Sequence, residues 1–149
     1  MLADAIIAAN GADIRYVVGN EAAYYYDSDH IVFPERWQFE QGPGGLESFY
    51  DCIFHELCGH WTEPRLGWSA SPAINELRAE IASAFTTARL GIPAVSNMAK
   101  LINHRKHLSR WINAMRADPT LIFSVAQAAS DAVDYLLGLA QPTIKSTVA

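Results

Sequence analysis

The segment His55-Glu56-Leu57-Cys58-Gly59-His60 sets a glutamate beside the first of two histidines, and Glu76-Leu77-Arg78-Ala79-Glu80 follows a short way downstream. Two imidazoles and a carboxylate suit a catalytic zinc, which takes three protein ligands and keeps a fourth position for water. A further carboxylate beside it can take a proton from that water. The spacing departs by one residue from the usual H-E-x-x-H of zinc peptidases. On an α-helix, at about 100° per residue, i,i+4 side chains differ by about 40° and i,i+5 side chains by about 140°. His55 and His60 can therefore share an ion only where the helix is locally widened. A π-bulge adds one residue to a turn, and Gly59, without a Cβ, is where such a distortion is expected to cost least.

Glu76 and Glu80 are four apart and share a helix face. Glu76 is the expected third ligand; Glu80 is expected to accept a hydrogen bond from a ligand histidine and fix its tautomer. The plainer alternative makes His55 a polar core residue, His60 a helix-terminal histidine, and the glutamates a solvated face with Arg78 as neighbour. It leaves the conjunction of both segments unexplained. Cys58, three residues after His55, is a possible alternative ligand, but Glu76 already completes a three-ligand set.

The two segments resemble the paired motifs of the dipeptidyl peptidase III family, which also carries one extra residue and a glycine before its second histidine. That resemblance implies zinc on His55, His60 and Glu76, with Glu56 as general base. Over nearly the whole chain, from about Ala3 to Leu139, a different likeness holds. Tyr25-Tyr26, Asp29, Ile31, Pro34 and Phe39 lead into the histidine helix. Trp61-Thr62, Arg65-Leu66 and the glutamate pair follow, then Asn103-His104, Trp111, Asp118 and Asp134-Tyr135-Leu136-Leu137. This order is similar to the zincin-like metallopeptidase domain of ArdC-type antirestriction proteins, conjugative primase C-terminal regions and phage polyvalent proteins. The sequence departs from that family in the extra residue of the histidine motif and in a short link between Leu66 and Glu76. The resemblance implies a plasmid- or phage-borne protein that blunts restriction, or aids establishment of incoming DNA, in a bacterial host.

The 149 residues, half of them hydrophobic, suit one domain, residues 1–149, with a proper core. No apolar run approaches the roughly 18 residues that span a bilayer, and Met1-Leu2-Ala3-Asp4 lacks the basic start of a secretory signal. Cys52 and Cys58 lie about 9 Å apart along one helix, beyond disulfide reach, so a reducing cytoplasm is the expected compartment. The net charge of −5 offers few cations for phosphates, and DNA binding by this chain alone is not expected. His104-Arg105-Lys106-His107 with Arg110 reads as a solvated basic helix face.

To position the motif, the sequence predicts a helix over 2–10 closed by Gly11. Three short strands follow at 14–18, 22–26 and 30–33, expected to form an antiparallel meander across the turns Gly19-Asn20 and Asp27-Ser28-Asp29. Gln41 to Gly45 reads as a loop and 46–61 as the metal helix, with Phe49, Ile53 and Phe54 facing the sheet. Residues 62–72 read as a loop, and helices are expected at 73–90, 96–116 and 120–139, with a loose tail after about 142. The tyrosines and Trp61 read as packing and His30 as strand decoration.

The fold class is therefore α+β: a small zincin, with an antiparallel sheet followed by a helical bundle that carries the metal site. The expected chemistry is hydrolysis of a peptide or protein substrate by zinc-activated water, with Glu56 as base and then acid. His104 is the candidate donor to the developing oxyanion, and His107 the second choice. The alternative class is an inactive, metal-stabilised module that binds protein or single-stranded DNA.

Overall fold

The computed structural model describes residues 2–95 and 98–148, with side chains over 2–95 and 105–141. The order of elements is α1 (Leu2–Ala9), β1 (Asp13–Val17), β2 (Ala23–Tyr25), β3 (His30–Pro34), α2 (Arg36–Glu40), α3 (Gly45–Phe54), a π-helix (His55–Trp61), α4 (Glu63–Leu66), α5 (Pro72–Arg89), α6 (Met98–Ala117) and α7 (Leu121–Val148).

The three strands form one sheet in the order β1-β3-β2. β2 runs antiparallel to β3, pairing Tyr24 with Ile31, whereas β1 runs parallel to β3, pairing Ile14 with Ile31. The expected meander is thus corrected to a mixed sheet with β3 at its centre. The two turn signals differ in kind. Asp29, at φ 48°, closes a tight hairpin between β2 and β3. The link after β1 is not a hairpin: the Gln38 amide grips Gly19 at both N–H and C=O (3.1 and 3.0 Å). Held against α2, this link leaves the place beside β1 to β3.

β3 contributes Ile31 and Phe33, both fully buried, to the main core. Phe49, Ile53 and Phe54 of α3 and Leu57 of the π-helix meet them there. Phe33, Phe39 and Phe49 pack as a three-ring cluster with centroids 5.5–5.7 Å apart. From the other side, α7 brings Ala129, Ala132, Val133, Leu136 and Ala140, and α5 brings Ala82. The small side chains let these helices pack closely around the π-helix. A second cluster joins Ala73, Ile74 and Leu77 of α5 to Trp111 of α6 and Val125 of α7.

Local signals set the element ends. Ser71 caps α5, accepting the Ile74 N–H at 3.4 Å, with Pro72 at its first position. Gly91, at φ 66°, ends it. The predicted loop over 62–72 contains one helical turn, α4, stopped by Gly67 at φ 65°. The backbone of α7 runs on through Pro142 to Val148.

Candidate metal centre

After Phe54 the helix widens into π geometry for seven residues, His55–Trp61. The extra residue between the histidines is absorbed there, and both rings face α5. His55 Nε2 and His60 Nε2 lie 3.3 Å apart. The Glu76 carboxylate completes the triangle, with one oxygen 3.2 Å from His55 Nε2 and the other 3.3 Å from His60 Nε2. Two ligand bonds of about 2.0–2.1 Å at a tetrahedral angle subtend about 3.3 Å. The donor set and its spacing fit a divalent metal. Among the described residues these three form the cluster able to hold one.

Each of the two histidines has a carboxylate behind it. His55 Nδ1 lies 3.0 Å from Glu80, and His60 Nδ1 lies 2.9 Å from Glu63. Such partners leave Nε2 free to ligate and make it more basic. Glu63 is only 2 % exposed and also accepts the Tyr26 hydroxyl at 2.7 Å; that hydroxyl lies 3.3 Å from His60 Nδ1. Tyr26, read from sequence as packing, is therefore part of the centre. Glu63 was recoverable in principle, since it stands three residues after His60 on a helix. Tyr26 arrives from the β2–β3 turn, and no spacing rule points to it.

Burial alone would lower the pKa of both histidines. The Glu76 and Glu80 carboxylates overcome it and push His55 up to about 10. Glu63 and Glu76 push His60 up to about 9. Glu76, although burial opposes its charge, is held well below the usual carboxylate range by the two histidines. Tyr26 is raised by burial and by its bond to Glu63. Glu56 is buried beside the triangle; burial raises its pKa against the pull of His55 and His60, and the Tyr24 backbone N–H bonds its carboxylate. Its place beside the triangle is where a group that exchanges protons with a metal-held water would sit.

Cys58 is fully buried and its thiol meets Thr86, with burial pushing its pKa up to about 11. It faces away from the triangle. Gly59 has no positive φ, so conformational freedom is not its role. A Cβ built there would lie 2.4 Å from Ala79 Cβ and 2.7 Å from Ala79 Cα: Gly59 is the point where the π-helix and α5 touch. Arg78, which the plainer alternative sets beside the glutamates on a solvated face, is 1 % exposed.

A cleft of about 700 Å³ opens onto the centre, lined by His55, Glu56, Glu76 and Glu80 on one side and by Lys106, His107 and Trp111 of α6 on the other. The side chain of His104 lies outside the described residues. The His107 ring stacks on Trp111 with centroids 5.8 Å apart, and its Nδ1 is buried without a hydrogen-bond partner. Trp111 is itself fixed by donating to the Ala73 carbonyl at 2.6 Å. Arg105, Lys106 and Arg110 are exposed.

Two histidines on a widened helix, a glutamate on the next helix and a small sheet alongside define a zincin-like metal-binding domain. The family model described as zincin-like metallopeptidase matches residues 1–129, and the chain belongs to that family. It is 34 % identical over 152 residues to a DNA primase TraC of Escherichia coli, covering 96 % of this chain and 10 % of that protein. A protein of Sinorhizobium fredii, y4eC, is 30 % identical over 90 % of this chain and 43 % of its own length. Among solved structures, the Mn(II)-bound antirestriction protein ArdC of plasmid R388 superposes with a TM-score of 0.76 at 33 % identity, covering 93 % of this chain and 51 % of that one. Its metal-free form gives 0.77 at 31 % identity. The chain thus spans about a tenth of the primase and about half of ArdC. Among the described residues, no helix is long and apolar enough to cross a membrane.

Proposed function

We propose that this chain is a single zincin-like domain that hydrolyses peptide bonds with zinc held by His55, His60 and Glu76. The observation that carries this reading is the triangle of donor atoms with 3.2–3.3 Å edges, beside a buried, raised-pKa Glu56. A metal there would supply Lewis-acid activation of a water and of the scissile carbonyl. Glu80 and Glu63 hold the two imidazoles in the tautomer that presents Nε2. Glu56 takes the proton from the water and returns it to the leaving nitrogen. The oxyanion needs a donor from across the cleft. His104 and His107 both lie on α6, and His107, braced by Trp111 and facing the same cleft as Glu56, fits that part. Similarity to the plasmid protein ArdC supports a role in antirestriction, with a peptide or protein substrate.

Glu56→Gln tests the reading. The variant should retain about one zinc per chain, since Glu56 is no ligand, and lose cleavage of an unstructured protein substrate. Equal cleavage by both proteins would remove Glu56 as the base. Zinc-loaded wild type that cleaves nothing would leave a metal-stabilised binding module.

A further inference from the structure

The widened turn has a cost that the metal centre itself does not meet. In π geometry the carbonyl of residue i bonds the N–H of residue i+5. For Gly59 that residue is Pro64, which has no N–H. A buried carbonyl without a donor is expensive, and this one belongs to the residue directly before the ligand His60. Beside a long contact from the Thr62 hydroxyl at 3.4 Å, the close donor comes from α5: Arg78 Nη1 donates to the Gly59 carbonyl at 2.5 Å. Nη2 of the same guanidinium donates to Thr62 Oγ1 at 3.1 Å. The Thr62 hydroxyl in turn donates to the Cys58 carbonyl at 2.6 Å. One side chain therefore reaches, directly and through a hydroxyl, the carbonyls of two successive peptides, Cys58–Gly59 and Gly59–His60.

We propose that Arg78 is a positioning residue for the metal centre: its guanidinium fork clamps the end of the π-helix, keeping His60 Nε2 in chelating distance of His55 and Glu76. The proposal rests on those three residues being the ligands. Packing alone does not account for Arg78. Its Nε–H is buried without a partner, and a buried cation is a costly space-filler that apolar residues often replace without loss. The planar fork, with two donors at fixed spacing, matches two acceptors on one short stretch of backbone; a lysine offers a single point. Arg78 also sits on the helix that supplies Glu76 and Glu80, two residues from each. Glu76-x-Arg78-x-Glu80 thus carries a ligand, a clamp and a histidine partner on one rigid element. Glu63, whose charge lies near the guanidinium, ties the same arrangement to the back of His60.

The test is zinc affinity, measured by competition with a chromophoric chelator on Arg78→Met, Arg78→Lys, Thr62→Val and Glu76→Ala. Thermal denaturation of each protein in chelator is followed alongside. Arg78→Met should bind zinc about 10- to 100-fold more weakly, the scale on which partners of ligands act. Arg78→Lys, with one donor instead of two, should recover part of that loss, and Thr62→Val should lose less than Arg78→Met. A folded Arg78→Met with wild-type zinc affinity, whatever its melting temperature, would overturn the clamp and reduce Arg78 to a stabilising residue. If Arg78→Met does not fold, Arg78→Lys and Thr62→Val decide, and unchanged affinity in both overturns the proposal. Glu76→Ala separates the two levels. Stoichiometric zinc retained there would sink the ligand set, whereas zinc lost there but kept in the Arg78 variants would sink only the clamp.

Discussion

Gly59→Ala probes the closest approach in the site. The added Cβ would lie 2.4 Å from Ala79 Cβ and 2.7 Å from Ala79 Cα, where ordinary carbon contacts are about 3.5–4.0 Å. One of these atoms is backbone, so no rotamer relieves the clash, and the two helices must part by about 1 Å. Overpacking of this kind costs about 1–3 kcal/mol, and with backbone involved the upper end applies. Against it stands the better helix propensity of alanine, about 1 kcal/mol. The clash wins, leaving a net loss of about 2 kcal/mol and a melting temperature lower by about 4–8 °C.

The metal effect is sharper. Ala79 cannot retreat without carrying Glu76 and Glu80, so the donor triangle opens and zinc affinity should fall at least about tenfold. The assays are thermal denaturation in chelator and zinc competition. Adding Ala79→Gly to Gly59→Ala removes the 2.4 Å contact but leaves the 2.7 Å approach to the residue-79 Cα, so zinc affinity should recover only in part. Wild-type affinity in Gly59→Ala would refute contact between the helices as the determinant of ligand spacing.

Three further outcomes follow from the same geometry. Glu80→Gln removes the charge behind His55 and should weaken zinc about 10- to 100-fold while leaving the fold intact; unchanged affinity would make the contact incidental. Zinc binding should expel about two protons per ion at pH 7, because His55 and His60, protonated in the metal-free chain up to about 10 and about 9, must both be neutral to ligate. The stability that their raised pKa values give the metal-free protein is fully present below the ordinary value of 6.5 and is lost as pH rises through about 9 to 10. Calorimetry in buffers of different ionisation enthalpy reads the proton count, and a release near zero would mean that both imidazoles are already neutral in the metal-free chain. Cys58→Ala should keep full zinc content, since the buried thiol faces Thr86, at a stability cost of about 1 kcal/mol for the small volume lost; loss of zinc would make Cys58 a ligand.

Periodicity and end signals carried the helices. Ser71-Pro72 and Leu90-Gly91 bracket α5 within a residue of where the pattern puts them, and the helical arithmetic of His55 and His60 by itself demands the widened turn that the π-helix supplies. Strand pairing was not available in the same way. The meander follows from treating both turn-rich links alike, and only tertiary contact distinguishes them: Gln38, far along the chain, holds the first link open. Pairing order is a long-range property, and local composition is blind to it.

The centre itself divides along the same line. His55, His60, Glu76 and Glu80 sit at spacings that helix geometry reads directly. Tyr26, Glu63 and Arg78 reach the site from a hairpin turn, a single helical turn and the buried side of α5, and their own neighbours in sequence suggest surface or packing roles. Gly59 shows the limit most clearly, since glycine at a distorted helix invites a conformational explanation, yet its backbone is ordinary and what matters is Ala79 pressed against it. Both residues lie inside the two motifs, Gly59 one before His60 and Ala79 one before Glu80. The two segments therefore do more than supply ligands. They also hold the Gly59–Ala79 contact beside the candidate donors, and on the proposed reading a chain that kept the histidines and glutamates but enlarged either small residue should lose the spacing a metal needs.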